Sequence, residues 1–124
     1  VPNHVKLLGF AINHDGGEEL HEVSSGDSVC CFDGTAVYGS DMRAGSSGGP
    51  LIQNFGQRAR GQGPANGEAN RVVGVISYGP TEGNAKFEGS SILNESFMAI
   101  LQTACGKAAG NCVSPGTHRR PQRF

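Results

Sequence analysis

The run Gly45-Ser46-Ser47-Gly48-Gly49-Pro50 is the part of this sequence whose residue types could do chemistry. A serine that acts as a nucleophile needs its hydroxyl displayed on a tight turn, and the same turn must aim backbone N–H groups at the oxyanion that develops in the substrate. Glycines on both sides of a serine permit such a turn and a close approach of the backbone. The same composition is also typical of a flexible surface loop. Taken alone, the run therefore leaves both interpretations open.

Composition restricts the class of protein. Ten lysines and arginines stand against eleven aspartates and glutamates, a net charge of −1, which argues against nucleic acid or an anionic membrane as the main partner. No apolar run approaches the roughly 20 residues that span a bilayer, and no signal peptide is visible. The basic end, residues 118–123, is more typical of a solvated terminus than of a binding segment.

The four cysteines form two pairs along the sequence, Cys30 with Cys31 and Cys105 with Cys112. Their spacing fits no common zinc pattern, since adjacent residues on a strand point to opposite faces, and we expect no metal or other cofactor. A disulfide easily closes the short loop between Cys105 and Cys112, which predicts this bridge and with it a secreted or periplasmic location. Cys30 and Cys31 are more typical of one core thiol and one outward thiol, and a bridge elsewhere stays open.

Twenty glycines and short apolar runs are typical of an all-β domain with many turns. Alternation and β-branched residues predict six or seven short strands, at residues 5–11, 20–24, 28–32, 35–38, 51–54, 71–79 and 87–93. Asn94 as N-cap, followed by Glu95 and spaced apolar residues, predicts a helix over 95–104. The expected fold is a small antiparallel six-stranded barrel with a C-terminal helix over residues 1–105, followed by a loop and basic tail over 106–124.

The serine run resembles the nucleophile loop of the chymotrypsin-type serine proteases, usually spelled Gly-Asp-Ser-Gly-Gly-Pro. The order of elements that follows also resembles the second barrel of that family, over residues 5–104: a strand, a hairpin, a strand ending in Ser77-Tyr78-Gly79, a strand containing Gly89 and a helix. Gly9-Phe10 and Gly26 resemble the bacterial glutamyl-endopeptidase branch. The resemblance implies a serine endopeptidase that acts on a protein or peptide substrate.

The same resemblance implies roles for individual residues. Ser47 matches the nucleophile, and the N–H groups of Gly45 and Ser47 match the oxyanion hole. The segment 77–79, Ser77, Tyr78 and Gly79, matches the strand end that pairs with the substrate and forms one wall of the primary pocket. Gly89 matches the small residue that keeps the opposite wall open.

Asp41 lies where a trypsin-like enzyme keeps the carboxylate at the base of its specificity pocket. A carboxylate there would pair with an arginine or lysine of the substrate, so the resemblance implies cleavage after these residues. The alternative is that Asp41 only caps a turn. The glutamate-specific branch uses a histidine on the strand where this chain has Ile76, which makes glutamate specificity the weaker expectation.

The sequence departs from the family in three respects. Ser46 replaces the usual aspartate of the loop, and no cysteine is present to link the loop to the pocket wall. The catalytic histidine and aspartate of the family lie on a first barrel, so the resemblance implies a partner, an N-terminal protease half that carries them. Without a base a serine is a poor nucleophile, and we expect this chain alone to be nearly inert.

Two other interpretations stay open. One is a non-catalytic, protease-like binding module. The other is a complete small hydrolase that recruits a local histidine, His14 or His21, although none of the four histidines (His4, His14, His21 and His118) lies in a motif like the catalytic one.

Overall fold

A computed structural model of the chain describes residues 4–26, 28–30, 34–58 and 67–112, with only the backbone of residues 28–30. Short turns follow most strands, as the glycine content leads one to expect. The elements within these residues are β1 (Val5–Gly9), α1 (Ile12–Asp15), β2 (His21–Ser25), β3 (Ser28–Cys30), β4 (Thr35–Gly39), β5 (Pro50–Gln53), β6 (Arg71–Tyr78), β7 (Phe87–Ile92) and α2 (Glu95–Lys107).

The described strands form one antiparallel sheet in the order β2-β1-β5-β6-β7-β4-β3. Its two outermost strands, β2 and β3, are separated in sequence by Gly26 and Asp27 alone, a link that spans at most about 11 Å. A Cβ on Gly39 of β4 would lie 3.6 Å from the Ser25 hydroxyl oxygen of β2. The sheet therefore curls until its ends approach each other, and the fold is barrel-like.

The prediction of an all-β fold with a C-terminal helix is confirmed. Among the described residues the sheet has seven strands rather than six; counting β2 and β3 as one interrupted strand gives the predicted number. The first strand ends at Gly9, two residues earlier than predicted, because Ile12 begins the short helix α1. Gly16 ends that helix in the left-handed conformation, with φ +82°.

Inward-facing side chains of the strands form the core, as the alternation of apolar residues predicts. Its buried apolar members are Val5, Leu7, Ala11, Ala36, Tyr38, Met42, Leu51 and Ile76. Polar residues are buried as well, among them Ser40, Ser46 and Glu88. A buried carboxyl group in a small domain is unusual unless neighbouring groups hydrogen-bond to it or neutralise its charge, so the contacts of Glu88 are described with the site below.

The chain divides into two compact units, Val1–Leu93 and Asn94–Phe124. In the second unit, the Asn94 side chain accepts a hydrogen bond from the Phe97 N–H at 3.2 Å, and α2 continues to Lys107, beyond the predicted end at residue 104. Cys105 and Cys112 form the predicted disulfide, with 5.2 Å between their Cα atoms. No helix in the described part of the chain is long and apolar enough to cross a membrane.

Several predictions concern residues outside those described. These are the pairing of Cys31, half of the segment 55–70 between the predicted strands 51–54 and 71–79, and the basic tail with His118; for Cys30 only the backbone, within β3, is described. The domain boundary at residue 105 stays a prediction.

Candidate functional site

The loop from Ser40 to Gly49 connects β4 to β5 and is held by backbone hydrogen bonds, both to β6 and within the loop. The Gly48 N–H donates to the Ile76 carbonyl of β6, and the Ile76 N–H donates back to Gly49, each at 2.8 Å. Within the loop, the Ser46 N–H donates to the Arg43 carbonyl at 3.2 Å. Because β6 anchors its end, the loop has a fixed shape, unlike the flexible surface loop that its composition alone permits.

Gly45 fits this loop for two reasons. Its φ is +98°, in the region that favours glycine, and a Cβ on it would collide with the Phe10 carbonyl oxygen. The helix α1 lies directly beside it, since the Ile12 N–H donates to the Ala44 carbonyl at 2.8 Å. The segment after β1 therefore packs against the loop at Ala44 and Gly45.

The adjacent serines Ser46 and Ser47 differ in exposure. Ser46 is 3% exposed, and its hydroxyl contacts the Glu88 carboxyl and, at 2.7 Å, the Arg43 carbonyl. Ser47 is exposed, and its hydroxyl forms no hydrogen bond with any described residue. Among the described residues, the N–H groups of Gly45 and Ser47 also have no acceptor. The loop thus presents one free hydroxyl beside two free backbone donors.

A cavity of about 640 Å³ opens beside Ser47. Its volume lies within the range of ligand-binding pockets. It is lined by Ile12, Asn13, Arg43, Ala44, Ser46, Ser47, Tyr78, Gly79, Pro80, Thr81 and Glu88. A second cavity of about 330 Å³, with Leu8, Phe10 and Leu20 in its walls, lies against the other side of the loop and includes Gly45 and Ser47. Ser47 therefore borders both cavities.

Only some of the predicted substrate-binding residues line the 640 Å³ cavity. Tyr78 and Gly79 line the larger cavity, while Ser77 is exposed on β6. Gly89 lies under Tyr78, because a Cβ on Gly89 would occupy the position of the tyrosine ring. Asp41 is not among the residues that line the cavity; its side chain is 53% exposed and lies 3.6 Å from His14 Nε2.

Glu88 is the residue of this cavity that sequence reasoning missed. It lies on β7 and is 1% exposed, with its second carboxyl oxygen accepting a hydrogen bond from the Ser40 hydroxyl at 3.0 Å. Burial raises the pKa of Glu88, as does the negative charge of Asp41, whereas the Ser46 and Ser40 hydroxyls lower it. A lone carboxylate near the start of the predicted strand 87–93 is the only signal in the sequence.

The Ser46 hydroxyl lies between two acceptors. It has a single hydrogen but lies against both the Arg43 carbonyl and the Glu88 carboxyl. Protonated Glu88 can donate to Ser46 while Ser46 donates to Arg43, whereas ionised Glu88 accepts from Ser46, which is the hydrogen bond that lowers its pKa. Burial outweighs this effect, so the pKa of Glu88 is raised.

Replacing Glu88 by glutamine is expected to abolish one component of the pH dependence of stability. The amide can donate to Ser46 and accept from Ser40, so the variant keeps the geometry. Folding raises the pKa of Glu88. The wild type therefore loses stability relative to the variant as pH rises from the pKa of glutamate in the unfolded chain to the raised pKa in the folded protein. The loss is about 1.4 kcal/mol for each pH unit between these two pKa values. Urea unfolding of both proteins between about pH 4 and about pH 8 measures this difference; parallel stability profiles would contradict it.

Arg43 lines the 640 Å³ cavity and hydrogen-bonds to the connection between β6 and β7. Its two terminal nitrogens donate to the carbonyls of Pro80 and Gly83, at 3.1 and 2.8 Å, in the connection between β6 and β7. This forked contact joins the loop 40–49 to the segment 79–86, which no cysteine links to the loop.

Replacing Arg43 by alanine is therefore expected to loosen the segment 79–86. Amide exchange there should accelerate about tenfold, since each charged hydrogen bond contributes roughly 1–2 kcal/mol at a partly exposed site. Hydrogen exchange followed residue by residue measures this effect. Arg43→Lys, which keeps the charge without the fork, should loosen the segment nearly as much; exchange unchanged in both variants would contradict the assigned role.

The histidines in the described residues do not contact Ser47. The rings of His14 and His21 lie 4.7 Å apart, and His21 Nε2 lies 3.1 Å from an Asp15 carboxyl oxygen. His4 lies in a different cavity, beside Lys6 and Arg58. No group of three or more His, Cys, Asp or Glu residues in the described ranges is arranged to hold a metal ion.

Comparisons with known proteins identify no family for this chain. No family model matches the chain, and neither the curated proteins nor the solved structures contain a significant match.

Proposed function

We propose that this chain is the nucleophile-carrying part of a serine endopeptidase of the chymotrypsin type. One observation carries the proposal: the exposed Ser47 hydroxyl and the N–H groups of Gly45 and Ser47 have no hydrogen-bond partner among the described residues, and Ser47 borders two cavities. A nucleophile, two oxyanion donors and a side-chain pocket are what acyl transfer requires at one place. The order of elements along the chain and the motifs 45–50 and 77–79 are what supports the family.

The proposed reaction proceeds in two steps. The Ser47 oxygen bonds to the carbonyl carbon of a peptide while a base takes the hydroxyl proton, and the oxyanion receives hydrogen bonds from the Gly45 and Ser47 amides. The carbon–nitrogen bond then breaks, and the amine leaves with that proton. Water attacks the acyl-enzyme, which releases the carboxylic acid and restores the serine.

The base is assigned to a partner, an N-terminal protease half that supplies histidine and aspartate. No described histidine contacts Ser47, and His14 and His21 are engaged with each other and with Asp41 and Asp15. The complete enzyme would then form when the two halves associate. The Cys105–Cys112 disulfide is compatible with a secreted or periplasmic enzyme, the location we propose.

Labelling of the natively isolated protein with a fluorophosphonate tests the proposal. Mass spectrometry should find the label on Ser47, and the native mass should exceed that of this chain by the mass of the partner half. Labelling of another residue, or none while the partner is present, would refute the catalytic role.

A binding module of another class is the second candidate. It is favoured by the same observation that no described residue engages Ser47 as a base. A protein that binds peptides in the 640 Å³ cavity, yet stays unlabelled with all its partners present, would be such a module.

A further inference from the structure

Ser46 is the residue of the triplet Gly45-Ser46-Ser47 whose side chain ties the loop to the sheet. Gly45 has no side chain, and the Ser47 hydroxyl forms no hydrogen bond with any described residue. Ser46 is 3% exposed and contacts the Glu88 carboxyl on β7. It also packs against β1, since a Cβ on Gly9 would lie 2.8 Å from the Ser46 Cβ. Ser46 therefore lies between two strands, and Glu88 supplies a polar contact from the sheet.

The orientation of Ser46 decides where the Ser47 N–H points. The Ser46 carbonyl and the Ser47 N–H belong to one peptide unit, whose usual trans form points them in opposite directions. That carbonyl accepts a hydrogen bond from the Gly49 N–H at 3.0 Å, and the Ser46 N–H donates to the Arg43 carbonyl at 3.2 Å. A rotation of Ser46 would break these bonds and redirect the Ser47 N–H. Holding Ser46 therefore holds one of the two proposed oxyanion donors.

Glu88 also holds the beginning of the loop. Its second carboxyl oxygen accepts a hydrogen bond from the Ser40 hydroxyl at 3.0 Å, and the Ser40 oxygen accepts one from the Met42 N–H at 3.1 Å. One carboxyl group thus contacts the loop at its first residue and at the residue before Ser47. The link to Ser46 is kept in either protonation state, because a hydroxyl can accept from the neutral acid or donate to the carboxylate.

The strand that carries Glu88 is paired on both of its sides. β7 lies between β4 and β6, and Glu88 is opposite the buried Tyr38 of β4. The loop, in contrast, contains glycines with positive φ, Gly45 and Gly48, which give its backbone more conformational freedom than other residues would. Contacts to a strand with two neighbours restrict that freedom.

We propose that Glu88 is a positioning residue, which through Ser46 and Ser40 holds the Gly45 and Ser47 N–H groups in the arrangement that binds an oxyanion. This role rests on the proposed function and adds to its site a residue outside the sequence motif. Glu88 acts only through the two serines and touches no reacting atom.

Amide hydrogen exchange in the 124-residue chain tests whether Glu88 holds the loop, without any need for activity. Glu88→Met keeps the length of the side chain but removes both of its hydrogen bonds, and Ser46→Ala removes one of them. Exchange at the Gly48 and Gly49 amides should accelerate about tenfold in each variant, because the loop then opens more often.

Two further variants serve as controls for the exchange measurement. Glu88→Gln has an amide that can donate to Ser46 and accept from Ser40, so it should recover most of the protection that Glu88→Met loses. Ser90→Ala changes another buried side chain of β7, whose hydroxyl has no hydrogen-bond partner among the described residues. It should leave exchange in the loop unchanged.

Fluorophosphonate labelling of the variants, produced in the native source together with the partner half, tests the effect on the reaction. Glu88→Met should lower the rate constant of labelling at Ser47 by about ten- to a hundredfold, since misplaced donors bind the oxyanion poorly. Glu88→Gln should recover most of that rate. Val5→Ala, which opens a cavity in the core on β1, should lose stability and keep the rate.

Other outcomes overturn the proposal. Unchanged exchange at Gly48 and Gly49 in Glu88→Met and Ser46→Ala would show that the loop keeps its shape without Glu88. A loss of rate in Val5→Ala as large as in Glu88→Met would show that only stability matters. If Glu88→Met fails to fold, Ser46→Ala and Ser40→Ala decide the question, because each removes one of the two contacts.

The two proposals fail separately. A native protein that is never labelled at Ser47 refutes the proposed function and with it the catalytic role of Glu88, while the exchange pattern shows whether Glu88 still fixes the loop of a binding module. Labelling that is as fast in Glu88→Met as in the wild type leaves the protease and removes the positioning role.

Discussion

Replacing Ser47 by alanine is expected to abolish fluorophosphonate labelling of the native protein and to lower kcat for peptide hydrolysis by up to about a millionfold. The substitution removes the proposed nucleophilic hydroxyl but keeps the backbone N–H groups of residues 45 and 47 that are proposed to bind the oxyanion. Because Ser47 is exposed and forms no hydrogen bond with a described residue, the variant should keep the stability of the wild type. Labelling stoichiometry, steady-state kinetics and urea unfolding measure the three effects.

Ser91→Ala is the matched control, since Ser91 is an exposed serine of β7 outside both cavities at the loop. It should label and hydrolyse like the wild type. Retained labelling in Ser47→Ala would show that another residue reacts, and the proposed nucleophile would be wrong.

Replacing Gly45 by alanine is expected to cost about 2–5 kcal/mol of the free energy of unfolding. Part of this is the positive φ of +98°, and part is the collision of the new Cβ with the Phe10 carbonyl oxygen. The loss is a large fraction of the stability of a small domain, typically about 5–15 kcal/mol. Displacement of the Gly45 amide should also lower kcat by about a hundredfold or more.

Gly48→Ala separates the two contributions. Gly48 also has a positive φ, +88°, but a Cβ on it would meet nothing within 4 Å. This variant should lose only the conformational part, about 1–2 kcal/mol. Equal losses in the two variants would show that the Phe10 contact is not what requires glycine at Gly45.

The loop around Ser47 shows which structural features the residue types alone predict. Glycines around Ser47 and the proline after them predict a tight turn that displays a hydroxyl, and the structure has that turn. The β-branched run of β6, the N-cap at Asn94 and the Cys105–Cys112 spacing likewise predict elements that are present. These features depend on local backbone preferences and short-range contacts, which a sequence expresses directly.

Asp41 and Glu88 illustrate where such reasoning stops. Asp41 has the spacing of a pocket residue, yet its side chain lies at the surface beside His14. Glu88 lies 41 residues after Ser47, on β7, and no local pattern indicates that it reaches the loop. Register decides this, because a one-residue slip of β7 against β6 would send its side chain to the opposite face.

The sequence by itself therefore determined the all-β class, the strands, the C-terminal helix and the exposed turn at Ser47. Only the tertiary structure decided that Ser46 turns inward to Glu88, that Tyr78 packs over Gly89 and that a buried carboxyl group borders the cavity. The physical reason is range: turns and helix caps depend on neighbours within a few residues, whereas the chemistry of a cavity depends on which distant strands bring their side chains to one place.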